Sequence, residues 1–215
     1  MGMMELRRQI ITAKDLPPIP DLYQKVKYIT KDDASAWMDT GVNGNNQYLR
    51  FEFCVEPLAW VAYASIFGNF LNGQDNSWRM IFNGNNDNSF LLAAFNKAAD
   101  LLNILFSFSV IGTRMYVDFK YRDVSAVVKS VKVKQINKTL HDGSAADSNI
   151  AIGTQRVGQS VNGNFRYYYF RIYDNGDLIR NYVPCYRKAD NAVGFYDTIN
   201  NTFNPSTGSA QFTLS

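Results

Sequence analysis

The sequence predicts an all-β sandwich or barrel. Three observations carry that prediction: strict apolar/polar alternation in several segments, many further short apolar runs, and Asn/Gly-rich clusters between them. Alternation is clearest at 48–55, where Leu49, Phe51, Phe53 and Val55 share one face and Arg50, Glu52 and Cys54 the other. Residues 127–133 alternate valine with polar side chains in the same way. Side chains of an extended chain point to opposite faces in turn, so each segment reads as a half-buried strand.

From the N-terminus, residues 1–20 differ from the rest: a short amphipathic piece, MELRRQII, leads to Pro17, Pro18 and Pro20. Proline lacks the N–H that a central strand must donate, so this stretch reads as an extended arm and 21–215 as the sandwich domain. Further strands are expected at 58–66, 77–82, 90–95, 105–111, 114–121, 165–173, 178–184 and 192–196. The Ala-rich segment 93–102 suits a helix, or equally a strand and a loop. Turn clusters at 42–46, 82–88, 141–149, 161–164 and 173–177 separate the runs. The sharpest is RIYDNGDLIR, where Asn175 and Gly176 both accept the positive φ of a two-residue hairpin turn.

Composition excludes several function classes. The 215 residues carry a net charge of +3, too little for binding nucleic acid by charge alone. A hydrophobic fraction of 46% with 14% aromatics implies a packed globule. No run approaches the roughly 18 apolar residues of a membrane helix, and residues 1–14 lack the apolar core of a secretory signal. The expectation is a chain that stays in the cytoplasm or leaves it without a cleaved signal.

Chemistry-bearing motifs are sparse. With His141 the single histidine, neither a zinc site nor a Ser/His/Asp triad is expected. Calcium would need clustered oxygens, and Asp142, Ser144, Asp147 and Asn149 lack EF-hand spacing. Asp32, Asp33, Asp142 and Asp147 read as solvated turn residues, and the acidic strand pattern E-x-D-x-x-E of a β-glucanase is missing. Glycine motifs for nucleotides are absent, so no cofactor, catalytic residue or metal ligand is assigned. Cys54 and Cys185 read as buried or half-buried thiols, with a bridge between them left open. The aromatic population remains. Flat rings stack on the C–H faces of sugars while amides reach hydroxyls, which makes Trp37, Trp60 and Trp78, with Asn85 and its neighbours Asn83 and Asn86, the candidate carbohydrate-binding residues. The competing role for each ring is the core.

Two segments carry a family resemblance. YQKVKYITKDDASAWMDTGVNGNN, 23–46, resembles the opening of concanavalin A-like (LamG-like) jelly-roll domains of phages, prophages and gut bacteria. Tyr28, Ile29, Asp39, Thr40 and Gly41 match, while Ala36 and Trp37 stand where Gln and Tyr are usual. FRIYDNGDLIRNYVPCYRKADNAVGFYDTINNTFNPSTGSAQF, 170–212, is similar to the family's ending, with Ser209 and Ala210 replacing part of a final Gly-x-Gly. The resemblance implies a two-sheet antiparallel jelly-roll sandwich whose first and last strands pair near the termini. It further implies a non-enzymatic phage structural subunit, such as a head fibre, capsid-decoration or tail-associated protein, assembled in the host cytoplasm. The arm would then grip other virion proteins. The alternative is a bacterial carbohydrate-binding or adhesion module at the cell surface. Exposed sheet edges add an expectation of homo-oligomerisation, and glycans are the expected soluble partner.

Overall fold

The computed structural model describes residues 18–70, 76–96, 101–121, 123–136 and 145–214. Among these there are strands and no helix: β1 (Tyr23–Lys25), β2 (Ile29–Lys31), β3 (Met38–Asn43), β4 (Leu49–Ala59), β5 (Ser65–Gly68), β6 (Ser77–Phe82), β7 (Ser89–Asn96), β8 (Leu102–Leu105), β9 (Met115–Lys120), β10 (Asp123–Val128), β11 (Val131–Ile136), β12 (Asn149–Ile152), β13 (Asn164–Asp174), β14 (Asp177–Arg187), β15 (Val193–Asp197) and β16 (Thr202–Pro205). Residues 1–17 of the arm, and His141 and Asp142, lie outside the described residues.

Two antiparallel sheets form the expected sandwich. The larger has ten strands, ordered β11-β10-β9-β4-β13-β14-β15-β16, with β1 on β14 and β2 on β13; the smaller runs β3-β12-β5-β6-β7-β8. The hairpin β13–β14 closes at Asn175 and Gly176, whose φ values are 48° and 95°. Away from that turn the two strands part. A bulge between Tyr167 and Tyr169 marks the divergence, and the first strands fill the gap: β2 pairs Phe165–Tyr167, and β1 pairs Cys185–Arg187. Thr30 exchanges two backbone hydrogen bonds with Thr213, both 2.9 Å. The first and last segments therefore meet, as the resemblance implies, and among the described residues the N-terminal segment supplies the partners for the free halves of β13 and β14.

The alternation at 48–55 is reproduced in β4: Leu49, Phe51, Phe53 and Val55 are buried between the sheets, and Arg50 and Glu52 face out. Rings dominate the interior. Phe53 stacks on Phe170 at 5.1 Å, and Phe67 packs edge-on against Phe53, Phe119 and Phe170. Cys54 and Cys185 are buried free thiols.

Three sequence expectations need correction, and of the two alternatives left open for 93–102 the structure takes the strand. The stretch 127–133 is a hairpin, since Lys129 and Ser130 both take positive φ, 47° and 66°, and reverse the chain between β10 and β11. Neither residue type signals such a turn. The stretch 58–66 breaks at a loop where Ala64 N–H bonds the Val61 carbonyl at 3.0 Å. The run 105–111 is mostly loop, because β8 ends at Leu105. Of 93–102, the first residues extend β7 and Leu102 opens β8; cross-strand pairing with β6 overrides alanine's helix preference. Strands β1, β2, β3, β12 and β16 carry no period-two pattern long enough to be read.

Candidate functional site

Trp78 is fully buried on β6, with its ring 5.1 Å from Phe51 and 5.9 Å from Phe119, and its indole N–H donates to the Asn46 carbonyl at 3.3 Å. It offers no face to a sugar. Trp37 is also buried, because Ser206, Thr207 and Gly208 fold over it: Thr207 N–H reaches its carbonyl at 2.7 Å. Both residues belong to the core rather than to a stacking surface. Trp60 is different, being 41% exposed on the loop between β4 and β5, and exposed Asn85 lies in the loop between β6 and β7. The Trp60 indole donates to the Asn83 carbonyl at 3.3 Å, so these two candidates share one end of the sandwich.

The outward face of the larger sheet holds a second constellation. Antiparallel pairing lines side chains up in rows across β9, β4, β13 and β14. One row is Tyr116, Cys54 and Tyr169; the next is Asp118, Glu52, Arg171 and Asn181; the third is Lys120, Arg50 and Tyr173. Arg50 joins the rows: its guanidinium donates to Asp118 at 2.8 and 3.2 Å and to Glu52. Tyr173 donates to Glu52 at 2.7 Å, and Arg171 lies 3.8 Å from the same carboxylate. Arg171 also donates to the Asn181 carboxamide at 3.1 Å and lies over the Tyr169 ring at 4.9 Å. Further along, Glu56 accepts from Tyr168 and, at 3.2 Å, from Arg166.

Beside these rows runs a groove of about 570 Å³, walled by Pro18, Ile19 and Tyr23 and floored by Tyr169, Arg171, Asn181 and Val183. Burial shapes its acid–base behaviour. The Tyr169 hydroxyl is pushed up to about 12 by burial, with the neighbouring Cys54 adding to it. Burial and then the hydrogen bond to Glu52 hold Tyr173 at about 12. The Cys54 thiol, buried beneath the tyrosines, is likewise pushed up to about 12, which keeps it protonated and unreactive. This face therefore offers aromatic rings, fixed cations and fixed carboxylates, and it lacks an activated thiol.

Sequence reading missed this site. The paired carboxylates Glu52 and Asp118 lie on different strands, 66 positions apart, and only the register of β4 on β9 makes them neighbours. Glu52 and Glu56 do share the outward face of β4, and that period-two relation was available in the sequence. Asp32, Asp33 and Asp147 behave as expected of turn residues: Asp33 accepts from Ser35 N–H at 2.7 Å, and Asp32 from the Thr213 hydroxyl at 3.0 Å. Asp147 accepts from the Asn43 carboxamide at 2.7 Å. Among the described residues, no three His, Cys, Asp or Glu side chains cluster to hold a metal ion, and no helix is long and apolar enough to cross a membrane.

Compared with protein-family models and with curated proteins, the sequence matches none. Solved structures do resemble the fold. Domains LG4-5 of the mouse laminin alpha1 chain match 70% of this chain and 43% of their own at 12% identity and a TM-score of 0.46, so this chain spans less than half of that laminin chain. The heptameric SAP-like pentraxin of Limulus polyphemus matches 71% of this chain and 73% of its own, at 14% identity and a TM-score of 0.44. Domain 4 of the arabinanase AbnA of Geobacillus stearothermophilus matches 75% of each chain at 12% identity and a TM-score of 0.43.

Proposed function

We propose that this chain is a non-catalytic carbohydrate-binding sandwich, with the saccharide lying along the outward face of the larger sheet. The observation that supports this reading is the juxtaposition of Tyr116 and Tyr169 with the polar row Asp118, Glu52, Arg171 and Asn181 at the edge of a groove of about 570 Å³. Rings supply apolar contact area, and side chains already fixed by mutual hydrogen bonds meet hydroxyls without further loss of rotamer freedom. Glu52 and Asp118 are bridged by Arg50. A carboxylate so held accepts hydrogen bonds, whereas glycoside cleavage needs one acid free to donate a proton to the leaving oxygen.

A glycan array probed with the full chain and with Tyr169→Ala tests the reading. Binding by the wild type that the variant loses supports it. Absence of binding to every glycan, or hydrolysis of a bound β-glucan, overturns it.

The same domain is proposed to be displayed on a virion, a reading supported by the resemblance of segments 23–46 and 170–212 to phage-type jelly rolls. Mass spectrometry of purified particles checks this. Absence of the chain from virions removes the display role and leaves a bacterial binding module.

A further inference from the structure

The loop between β4 and β5 holds a conformation its sequence does not favour. Ala64 N–H closes a turn on the Val61 carbonyl at 3.0 Å, and Tyr63, its third residue, takes φ = 60°. That position ordinarily falls to glycine or asparagine; a bulky residue there is strained. Strain of this kind persists only where the surroundings impose it, and it concentrates at ligand sites. Here the imposed result is exposure of two rings: Val61 packs against the core while Tyr63 is 57% and Trp60 41% exposed.

The neighbouring loop fixes both rings in place. The Trp60 N–H donates to the Asn83 carbonyl, and the residue remains partly exposed. Tyr63 lies over Gly84, where an added Cβ would come within 2.4 Å of the phenol ring. Asn83 turns the loop by accepting from Asn85 N–H at 3.2 Å, and Asn86 accepts from the Ser89 hydroxyl at 2.5 Å. The Asn85 carboxamide and the Tyr63 hydroxyl, in contrast, make no hydrogen bond among the described residues. Residues 57–64 contain no charged side chain, and 83–88 contain only Asp87.

We propose that Trp60, Tyr63 and Asn85 form a second saccharide subsite at this end of the sandwich, which takes an uncharged sugar ring. The indole and phenol faces stack on its C–H surface, and the Asn85 amide and Tyr63 hydroxyl engage its hydroxyls. Without a cation in either loop, a sulfated or carboxylated sugar finds no counter-charge there. This subsite rests on the carbohydrate-binding reading but is separate from the sheet face.

The test uses acrylamide quenching of tryptophan fluorescence in the full chain. Because Trp37 and Trp78 are buried, the quenchable emission comes from Trp60. The probes are the neutral oligosaccharides cellotetraose, xylotetraose, mannotetraose and galactotetraose, and the sialylated and sulfated forms of lactose. A neutral probe is expected to protect Trp60, and Trp60→Ala, which lacks the reporter and is therefore followed with the other variants by titration calorimetry, to weaken its binding about tenfold. Gly84→Ala, which displaces the Tyr63 ring, should weaken it too. Tyr63→Asn should lower affinity while raising the melting temperature, because asparagine accepts the positive φ; a merely structural tyrosine would give the opposite stability change. Binding lost in Tyr169→Ala but equal in wild type, Trp60→Ala and Tyr63→Asn overturns the subsite and leaves the sheet-face reading standing. Protection of Trp60 by the charged probes alone also overturns it. No binding of any probe or arrayed glycan removes both.

Discussion

The ammonium of Lys31 lies 3.0 Å from the carbonyl oxygen of Ala36, and the same nitrogen donates to the carbonyls of Asp33 at 2.6 Å and Ala34 at 3.2 Å. A fully buried lysine thus ties the 33–36 turn together by donating to three carbonyls, of which Asp33 also accepts from Ala36 N–H at 3.2 Å and Ala34 from Val161 N–H at 3.1 Å. Lys31→Met keeps the length of the stem and removes the donors. It is expected to lower stability by about 3 kcal/mol, read as a fall in the urea midpoint at pH 7.

The same residue gives a pH signature. Burial lowers the Lys31 pKa from 10.5 to about 8, opposed by the charges of Asp33 and Asp32. Between those two values the unfolded chain holds a proton that the folded chain has released, so stability rises with pH. Urea midpoints of the wild type should climb relative to those of Lys31→Met as pH goes from 7.5 to 9.5. A constant difference would refute the assignment.

At higher pH the sign reverses. Tyr167, Tyr182, Tyr169 and Tyr173 all have phenols raised by burial, with Glu52 also acting on Tyr173 and Asp197 on Tyr182. Above about pH 10 the unfolded chain ionises its tyrosines while the folded chain retains these protons, so stability falls. Absorbance at the tyrosinate band should show a late, cooperative step that coincides with loss of near-UV dichroism.

Arg50 separates two carboxylates that the register places opposite each other. In Arg50→Ala, Glu52 and Asp118 lose the cation between them, and Glu52 keeps Arg171 at 3.8 Å and the Tyr173 hydroxyl. The variant should lose about 1–2 kcal/mol at low ionic strength and recover part of it at about 1 M salt, where the repulsion is screened. Chemical denaturation at the two salt concentrations decides it.

The Lys129–Ser130 turn carries two positive φ values on residues that disfavour them. Replacing the pair by Asn-Gly, the chemistry already present at 175–176, should raise stability by about 1 kcal/mol. A calorimetric melting temperature that is unchanged or lowered would mean that the Lys129 ammonium, 4.9 Å from the Phe108 ring centre, contributes more than the turn strain costs.

Trp78→Ala removes a ring packed against Phe51, Phe95 and Phe119. A loss of about 3–5 kcal/mol is expected from equilibrium unfolding.

Alternation of period two and Asn/Gly turns determined by themselves that this chain is an all-β sandwich or barrel, and the resemblance of its terminal segments pointed to the antiparallel sandwich. The first two are local consequences of backbone sterics and of which residues tolerate positive φ. They placed the inward face of β4 and the Asn175–Gly176 hairpin, and the terminal segments carried the pairing of first and last strands. They failed at Lys129–Ser130 and at Tyr63, where tertiary packing imposes a backbone geometry the residue type resists. For the three tryptophans, sequence supplied the chemistry but not the direction. Burial depends on which sheet face each ring meets and on what folds over it, so Trp78 and Trp37 went inward and Trp60 stayed in solvent. The row of Asp118, Glu52, Arg171 and Asn181 was decided only by tertiary structure, because strand register is a long-range choice made by the whole core.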